Sequence, residues 1–392
     1  MLASRTNWKF THNQLTQRLE TLKQSGVQVI DLSESNPTHC GFDYLKSSLL
    51  TPLADPQNII YEPNPRGMPE ARYAIQTYYQ EKKVTVPLEH IFLTASTSEA
   101  YSLLMRLLVN PGQRILVPRP SYPLFDFLTD LNDVILDSYF LRYEAREWHI
   151  DMTSLTRAIH SDTKAIILVN PNNPTGSFLK RNELNEILKL ARKHSLALIS
   201  DEVFSDYSFS EDSDRVLTLA GATHEMITFT LGGISKMLGL PQMKLSWILA
   251  GGPTETLRFL LERLEVILDT YLSVNTPAQR ALVSWLPLKH SIQGEIKDRV
   301  QKNLALLIAL LSQTHPASCL PMEGGWYAVL RLPKIQSEEE WALEFLEKDH
   351  VYLHPGYFFD FEEEVYIVIS LLPPCNIFKE GISRILTRVK NK

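Results

Sequence analysis

Lys236 lies in a Gly- and Ser-rich stretch, residues 232–244, directly after an apolar run, and a second cation, Lys244, follows eight residues on. A lysine amine forms a Schiff base with an aldehyde when burial or a neighbouring charge keeps part of it unprotonated. The stretch therefore suits amine chemistry on a phosphorylated cofactor, although a lone Ser-Lys pair usually marks a solvated lysine. Asn170-Pro171-Asn172-Asn173-Pro174-Thr175-Gly176 is the second signal. Its two Asn-Pro steps enforce a non-helical turn straight after a buried strand, from which Asn173 could aim its amide at a ring oxygen of a ligand. Asp201 follows the apolar residues 196–199 and Ser200. A carboxylate at the end of a buried strand needs a cationic or hydrogen-bonding partner. A protonated pyridine nitrogen would serve and would be kept charged by the carboxylate, while a helix N-cap or a structural ion pair would also satisfy it. Ser96-Thr97-Ser98-Glu99 has the spacing of a capping box opening a helix over 100–107, and a helix N-terminus after a strand can hold a phosphate. Tyr122, between prolines 120 and 123, offers a rigidly held aromatic face.

These residues need a scaffold, and the chain supplies a pattern for one. Residues 90–94, 114–117, 165–169, 196–199, 226–230 and 245–249 are short, near-continuous apolar runs, the mark of strands in a parallel or mixed sheet covered on both faces. Between them, residues 182–194 place Leu184, Ile187, Leu188 and Ala191 on one helical face. Such an α/β alternation gathers ligands at the carboxyl ends of the strands, which is where the residues above fall. Residues 253–285 read as helical, and the tail then runs helix, strand, helix, strand, helix. The expected division is a large domain over 46–285 and a smaller α+β domain built from 1–45 and 286–392.

Composition bounds the rest. The 392 residues suffice for two domains, and the formal net charge of −6 argues against a general nucleic-acid or anionic-membrane binder. Cys40, Cys319 and Cys375 lie far apart without metal-ligand spacing, as expected for reduced thiols of a cytoplasmic protein without a metal site. Residues 1–10 lack a signal-peptide apolar core, and the longest apolar run, 304–311, is too short for a membrane span and reads as a core helix.

Together the motifs resemble the class I/II aminotransferases, the aspartate-aminotransferase-like pyridoxal-phosphate enzymes of fold type I. The resemblance runs from Asp31-Leu32-Ser33-Glu34-Ser35-Asn36-Pro37 to the C-terminal helix. It implies a large domain with a mostly parallel, seven-stranded-type sheet between helices. It implies that Lys236 forms the internal aldimine and shuttles the substrate α-proton, that Asp201 pairs with the pyridine nitrogen, that Asn173 donates to the ring oxygen and that Tyr122 stacks on the ring. Ser96, Thr97, Ser235 and Lys244 would hold the phosphate, and Tyr61 would reach the phosphate of a partner subunit, giving a homodimer with shared active sites. Ser35 and Asn173 would face the substrates, an amino donor and an oxo acceptor.

Four positions depart from the family pattern. Lys244 stands for the usual arginine and Gly233 for a serine. Phe204 stands for the tyrosine beside the cofactor ring oxygen, which should raise the pKa of the bound Schiff base. Val368 stands for the arginine that takes the substrate carboxylate. A carboxylate left without its cation in a closed site costs on the order of 3–5 kcal/mol, so another cation is expected: Arg66 first, then Arg119 or His354. The loss of that arginine also leaves open a lyase, decarboxylase or racemase on the same cofactor. A catalytically retired binding protein is the remaining alternative.

Overall fold

The computed structural model describes residues 2–8, 13–44, 46–221, 225–311, 316–362 and 365–392. Leu45, at the expected end of the first small-domain segment, lies outside them.

The first strand, β1 (Ile30–Asp31), is short and awaits a late partner. The main sheet is then laid down by β2 (Ile91–Thr94), β3 (Arg114–Arg119), β4 (Ile135–Glu144), β5 (Glu147–Ile150), β6 (Thr163–Val169), β7 (Ala197–Asp201), β8 (Thr228–Gly233) and β9 (Ser246–Gly251). Their spatial order is β2-β9-β8-β7-β6-β3-β4-β5. Strands β8, β7, β6, β3 and β4 are parallel, while β9 runs antiparallel between β2 and β8. The first seven strands form the expected sheet, and β5 adds an antiparallel hairpin strand at its edge.

That hairpin was not visible in the residue pattern. β4 has one buried residue, Tyr139, so its apolar signal is diluted. Its turn also places both Ala145 and Arg146 at positive φ, 50° and 70°, without the Asn-Gly pair that normally marks such a turn.

Both faces of the sheet are covered, which explains the continuous apolar runs. In β6, Ala165 and Ile167 pack under the helices Thr97–Leu108 and Thr254–Tyr271, while Ile166 and Leu168 pack under the helix Arg181–His194. The latter buries Ile187 and Ala191, with Leu184 and Leu188 half-buried beside them, on the face expected from the sequence.

After the helices Thr276–Trp285 and Lys289–Leu310 the chain forms β10 (Ser318–Cys319), β11 (Tyr327–Arg331), β12 (Val351–Tyr352), β13 (His354–Pro355) and β14 (Tyr366–Ser370). β10-β11-β14-β13 make an antiparallel sheet, and β12 pairs in parallel with β1, tying the early chain to the late one. The run 304–311 ends the helix Lys289–Leu310 and is not a core segment: Leu307 is buried, but Ile308 is 57 % exposed. Its apolar residues encircle the helix, and only one face meets the core.

Candidate active site

Burial breaks at the carboxyl ends of the strands. Every side chain of β2 is buried, yet Ala95 to Glu99 are half-buried. β7 is buried until Asp201, and β8 until Ser235 and Lys236. Tyr122 and Asn173 are likewise half-buried within buried surroundings. The half-buried polar residues therefore fall at the carboxyl ends of the strands, as the alternation of strands and helices leads one to expect.

Lys236 sits in the one-turn helix Ile234–Met237 that follows β8, its carbonyl fixed by the Tyr207 hydroxyl at 2.8 Å. Its Nζ lies 5.6 Å from the centre of the Phe204 ring and 5.4 Å from that of Trp326, with no ion pair or hydrogen bond to it among the described residues. Desolvation lowers the amine's pKa, and Asp201 opposes that shift. Asp201 in turn is pushed up to about 6 by desolvation, against the pull of the Val203 N–H, the Tyr101 hydroxyl and Lys236. Its Oδ1 accepts from Val203 N at 3.1 Å and its Oδ2 from Tyr101 Oη at 2.9 Å. A poised amine and a carboxylate with spare acceptor capacity thus face each other across a partly desolvated site.

The three asparagines of the 170–176 loop divide the work. Asn170 donates to Val216 O at 2.7 Å and accepts from Leu179 N at 3.0 Å. Asn172 donates to Pro120 O at 3.1 Å and accepts from Thr175 Oγ1 at 2.8 Å. Asn173 alone has no side-chain partner among the described residues, and its Oδ1 is buried. Whichever way the amide is turned, a polar group is left unmatched, which is costly unless a ligand satisfies it. Gly176 closes the loop at φ 71°, and a Cβ there would come within 2.3 Å of Gly324 O. The glycine is required because the backbone leading to Trp326 passes so close.

Ser96 caps the helix Thr97–Leu108 by accepting from Glu99 N at 3.1 Å. The reciprocal half of the expected capping box is displaced by one residue: Glu99 accepts from Ala95 N at 2.6 Å, and Ser273 holds the same carboxylate at 2.8 Å. Since Ser96 O takes the Ala100 N–H, the cap leaves the N–H groups of Thr97 and Ser98 at the helix start for an anion. Lys244 is exposed, at φ 51°, without an ion pair among the described residues. Tyr61 is 67 % exposed.

The substrate side differs from what Arg66 promised. Its Nε and Nη2 both donate to Glu265 Oε2, at 2.9 and 2.7 Å, its Nη1 donates to Glu89 O at 2.7 Å, and it stacks on Phe92. Its donors are spent on holding the 60–67 loop, so the structure gives no support to Arg66 as a carboxylate clamp. Val368 is 1 % exposed and packs with Trp148, Phe359, Phe361 and Tyr366. His354, its cross-strand partner, lies among aromatic rings, and desolvation pushes its pKa below the ordinary value. Arg119, at the end of β3, keeps a buried Nε with no hydrogen bond, its carboxylates Asp126 and Asp360 standing off at 3.6 and 3.7 Å. It lines a cavity of about 160 Å³ with Trp148, Arg331 and Tyr366, and the Trp148 Nε1 is also buried without an acceptor among the described residues.

Several residues at the site escaped the sequence reading. Tyr101 reaches Asp201, and Ser98 lies beside the Tyr122 hydroxyl. Tyr327, pushed up to about 12 by burial and eased by the nearby Ser35 hydroxyl, lies near Tyr122. Trp326 walls Lys236. The Gly324-Gly325 pair before two aromatics was the signal that could have drawn attention to Trp326 and Tyr327.

The chain belongs to the family described as aminotransferase class I and II, whose model matches residues 7–375. It is accordingly an aminotransferase, and membership implies dependence on pyridoxal phosphate. Among curated relatives, the glutamate-pyruvate aminotransferase AlaA of Haemophilus influenzae is 26 % identical over 371 residues, covering 93 % of this chain and 91 % of the relative. The alanine aminotransferase of Mycobacterium tuberculosis is 26 % identical over 384 residues, covering 94 % and 87 %. Among solved structures, alanine aminotransferase from Pyrococcus furiosus superposes with a TM-score of 0.90 over 100 % of both chains at 24 % identity, a likeness of fold.

Proposed function

We propose that this aminotransferase uses pyridoxal phosphate, held by Lys236, to move the amino group of an α-amino acid onto an oxo acid, and that it works as a cytoplasmic homodimer with shared active sites. The observation that carries the reading is the set of unmet groups around Lys236: a partner-free amine, a desolvated Asp201 carboxylate and the orphaned amide of Asn173. These are the partners that an aldehyde, a ring nitrogen and a ring oxygen would satisfy, so the residues fit the cofactor.

Bound there, the cofactor supplies an aldehyde for the substrate amine and a ring that withdraws electrons from the substrate α-carbon. Lys236, its pKa lowered, provides the free amine that anchors the cofactor and carries the α-proton. Asp201 meets the ring nitrogen, the Asn173 amide meets the ring oxygen, and Tyr122 covers one ring face. The N–H groups of Thr97 and Ser98, with Ser96, Ser235 and Lys244, hold the phosphate, and the exposed Tyr61 reaches toward the partner's site. Ser35, beside Tyr327, borders the substrate. Arg119 takes the substrate carboxylate in place of the family arginine lost at Val368, since its buried Nε makes no hydrogen bond among the described residues and its ion pair to Asp360 is long, at 3.7 Å. The organisation into a large domain, 46–285, and a small one, 1–45 with 286–392, puts the cofactor contacts on the first and the substrate-facing Ser35, Trp326 and Tyr327 on the second.

The names of the relatives make alanine, glutamate and pyruvate the first substrates to try. Purified protein loaded with pyridoxal phosphate should lose the aldehyde-form absorbance on addition of an active donor and regain it with an oxo acid. A product formed with no such cycling would point to a lyase or racemase. Failure to take up the cofactor would mean a retired fold.

A further inference from the structure

The helix Thr97–Leu108 does more than offer its N-terminus. Ser98 and Tyr101 are three residues apart and so share a face. Ser98 lies beside the Tyr122 hydroxyl and favours its ionised form, and Tyr101 donates to Asp201 Oδ2 at 2.9 Å. The Tyr101 ring packs edge-on against Phe125 at 5.2 Å, and Phe125 packs edge-on against Tyr122 at 6.2 Å. One helix therefore holds the Asp201 carboxylate directly and braces Tyr122 through Phe125.

We propose that Tyr101 is a positioning residue for amino transfer, its hydroxyl keeping the Asp201 carboxylate ionised and aimed at the cofactor ring nitrogen. Asp201 needs such help because its site is desolvated, and a protonated Asp201 could not hold a charge on the ring nitrogen. Its other hydrogen-bond donor is the Val203 backbone N–H, so Tyr101 supplies the only side-chain hydrogen bond to this carboxylate among the described residues. Tyr101 is 1 % exposed, and burial together with the Asp201 charge raises its pKa, so it stays a neutral donor across the working range. The other titratable groups facing the pair are Lys236, which favours the ionised carboxylate, and Tyr122 and Tyr139, which are neutral near pH 7.

The inference rests on pyridoxal-phosphate binding at Lys236, and the experiment separates the two. Equilibrium affinity is measured for pyridoxal phosphate and for its 1-deaza analogue, in which C–H replaces the ring nitrogen, on the parent protein and on Tyr101→Phe. The phenyl ring preserves the contact with Phe125. A charge-assisted hydrogen bond corresponds to a loss of roughly tenfold or more. Tyr101→Phe should lose that factor for pyridoxal phosphate and stay within about twofold for the deaza compound. In an Asp201→Asn background, Tyr101→Phe should add no further loss. Equal losses for both cofactors, or none for either, would overturn the proposal. Should Tyr101→Phe fold poorly, the losses caused by Asp201→Asn are compared instead: affinity should fall for pyridoxal phosphate and stay within about twofold for the deaza compound, and equal losses for the two would overturn the proposal too. If the parent protein binds neither compound, the cofactor reading fails first.

Discussion

A Cβ on Gly233 would lie 2.3 Å from the Oγ of Ser246, its cross-strand partner in the β8–β9 pair. Gly233 is thus tied to Ser246: the family serine at 233 would force the Ser246 side chain to shift. The backbone is not the reason, since φ at Gly233 is 179°, open to any residue. Gly233→Ser alone should lose ~1–3 kcal/mol of stability through overpacking. Adding Ser246→Ala, which removes the closest atom, should recover most of it. Chemical unfolding of the three variants checks this, and an equal loss in the double variant would exclude the steric account.

Phe204 is 3 % exposed, braced edge-on by Trp326 at 5.2 Å. Phe204→Tyr places a hydroxyl donor on the ring whose centre is 5.6 Å from Lys236 Nζ. The pH midpoint of the bound-cofactor absorbance should fall by on the order of one unit, because a donor to the ring oxygen favours the deprotonated Schiff base. A midpoint that stays or rises contradicts this.

Asp201 gives a pH signature in the cofactor-free protein. Its folded pKa, about 6, lies above the ordinary 3.8. The folded state therefore binds more protons in that interval. The stability this group contributes is present below pH 3.8 and is lost as pH rises to about 6. Asp201→Asn removes the cost of the buried charge, so it should stabilise the protein more at pH 8 than at pH 5, by ~1 kcal/mol. Urea unfolding at the two pH values measures the difference, and equal effects would show an ordinary carboxylate.

Arg66 and Arg119 should behave in opposite ways. Arg66→Ala should cost about 1 kcal/mol of stability, from a partly exposed ion pair with Glu265, and leave KM for amino-acid donors unchanged. Arg119→Ala should raise that KM at least tenfold with a smaller change in kcat, since a buried donor facing a carboxylate contributes mainly to binding. A raised KM only in Arg66→Ala would return the role to the 60–67 loop.

The strands that carry the site were legible because both faces of the sheet are buried, and burial on both faces writes itself as continuous apolar runs. β4 and β5 were not, because an edge hairpin with one buried residue in its longer strand leaves no such run. The capping box at Ser96 was read from spacing alone, and it is only half formed, because Ser273 from a distant loop draws on the Glu99 carboxylate.

By itself the sequence determined which chemical groups stand at the strand ends: Lys236, Asp201, Asn173 and the Ser96 cap are local motifs, set by a strand and the turn that follows it. Tertiary structure decided what those groups are left to do. Arg66 is consumed by Glu265, 199 residues away, Asp201 is held by Tyr101, 100 residues away, and Lys236 is walled by Trp326. Local periodicity reports which side of an element is buried. It carries no information on which distant side chain arrives to satisfy a donor, and that pairing determines whether a charged residue is spent on structure or left for a ligand.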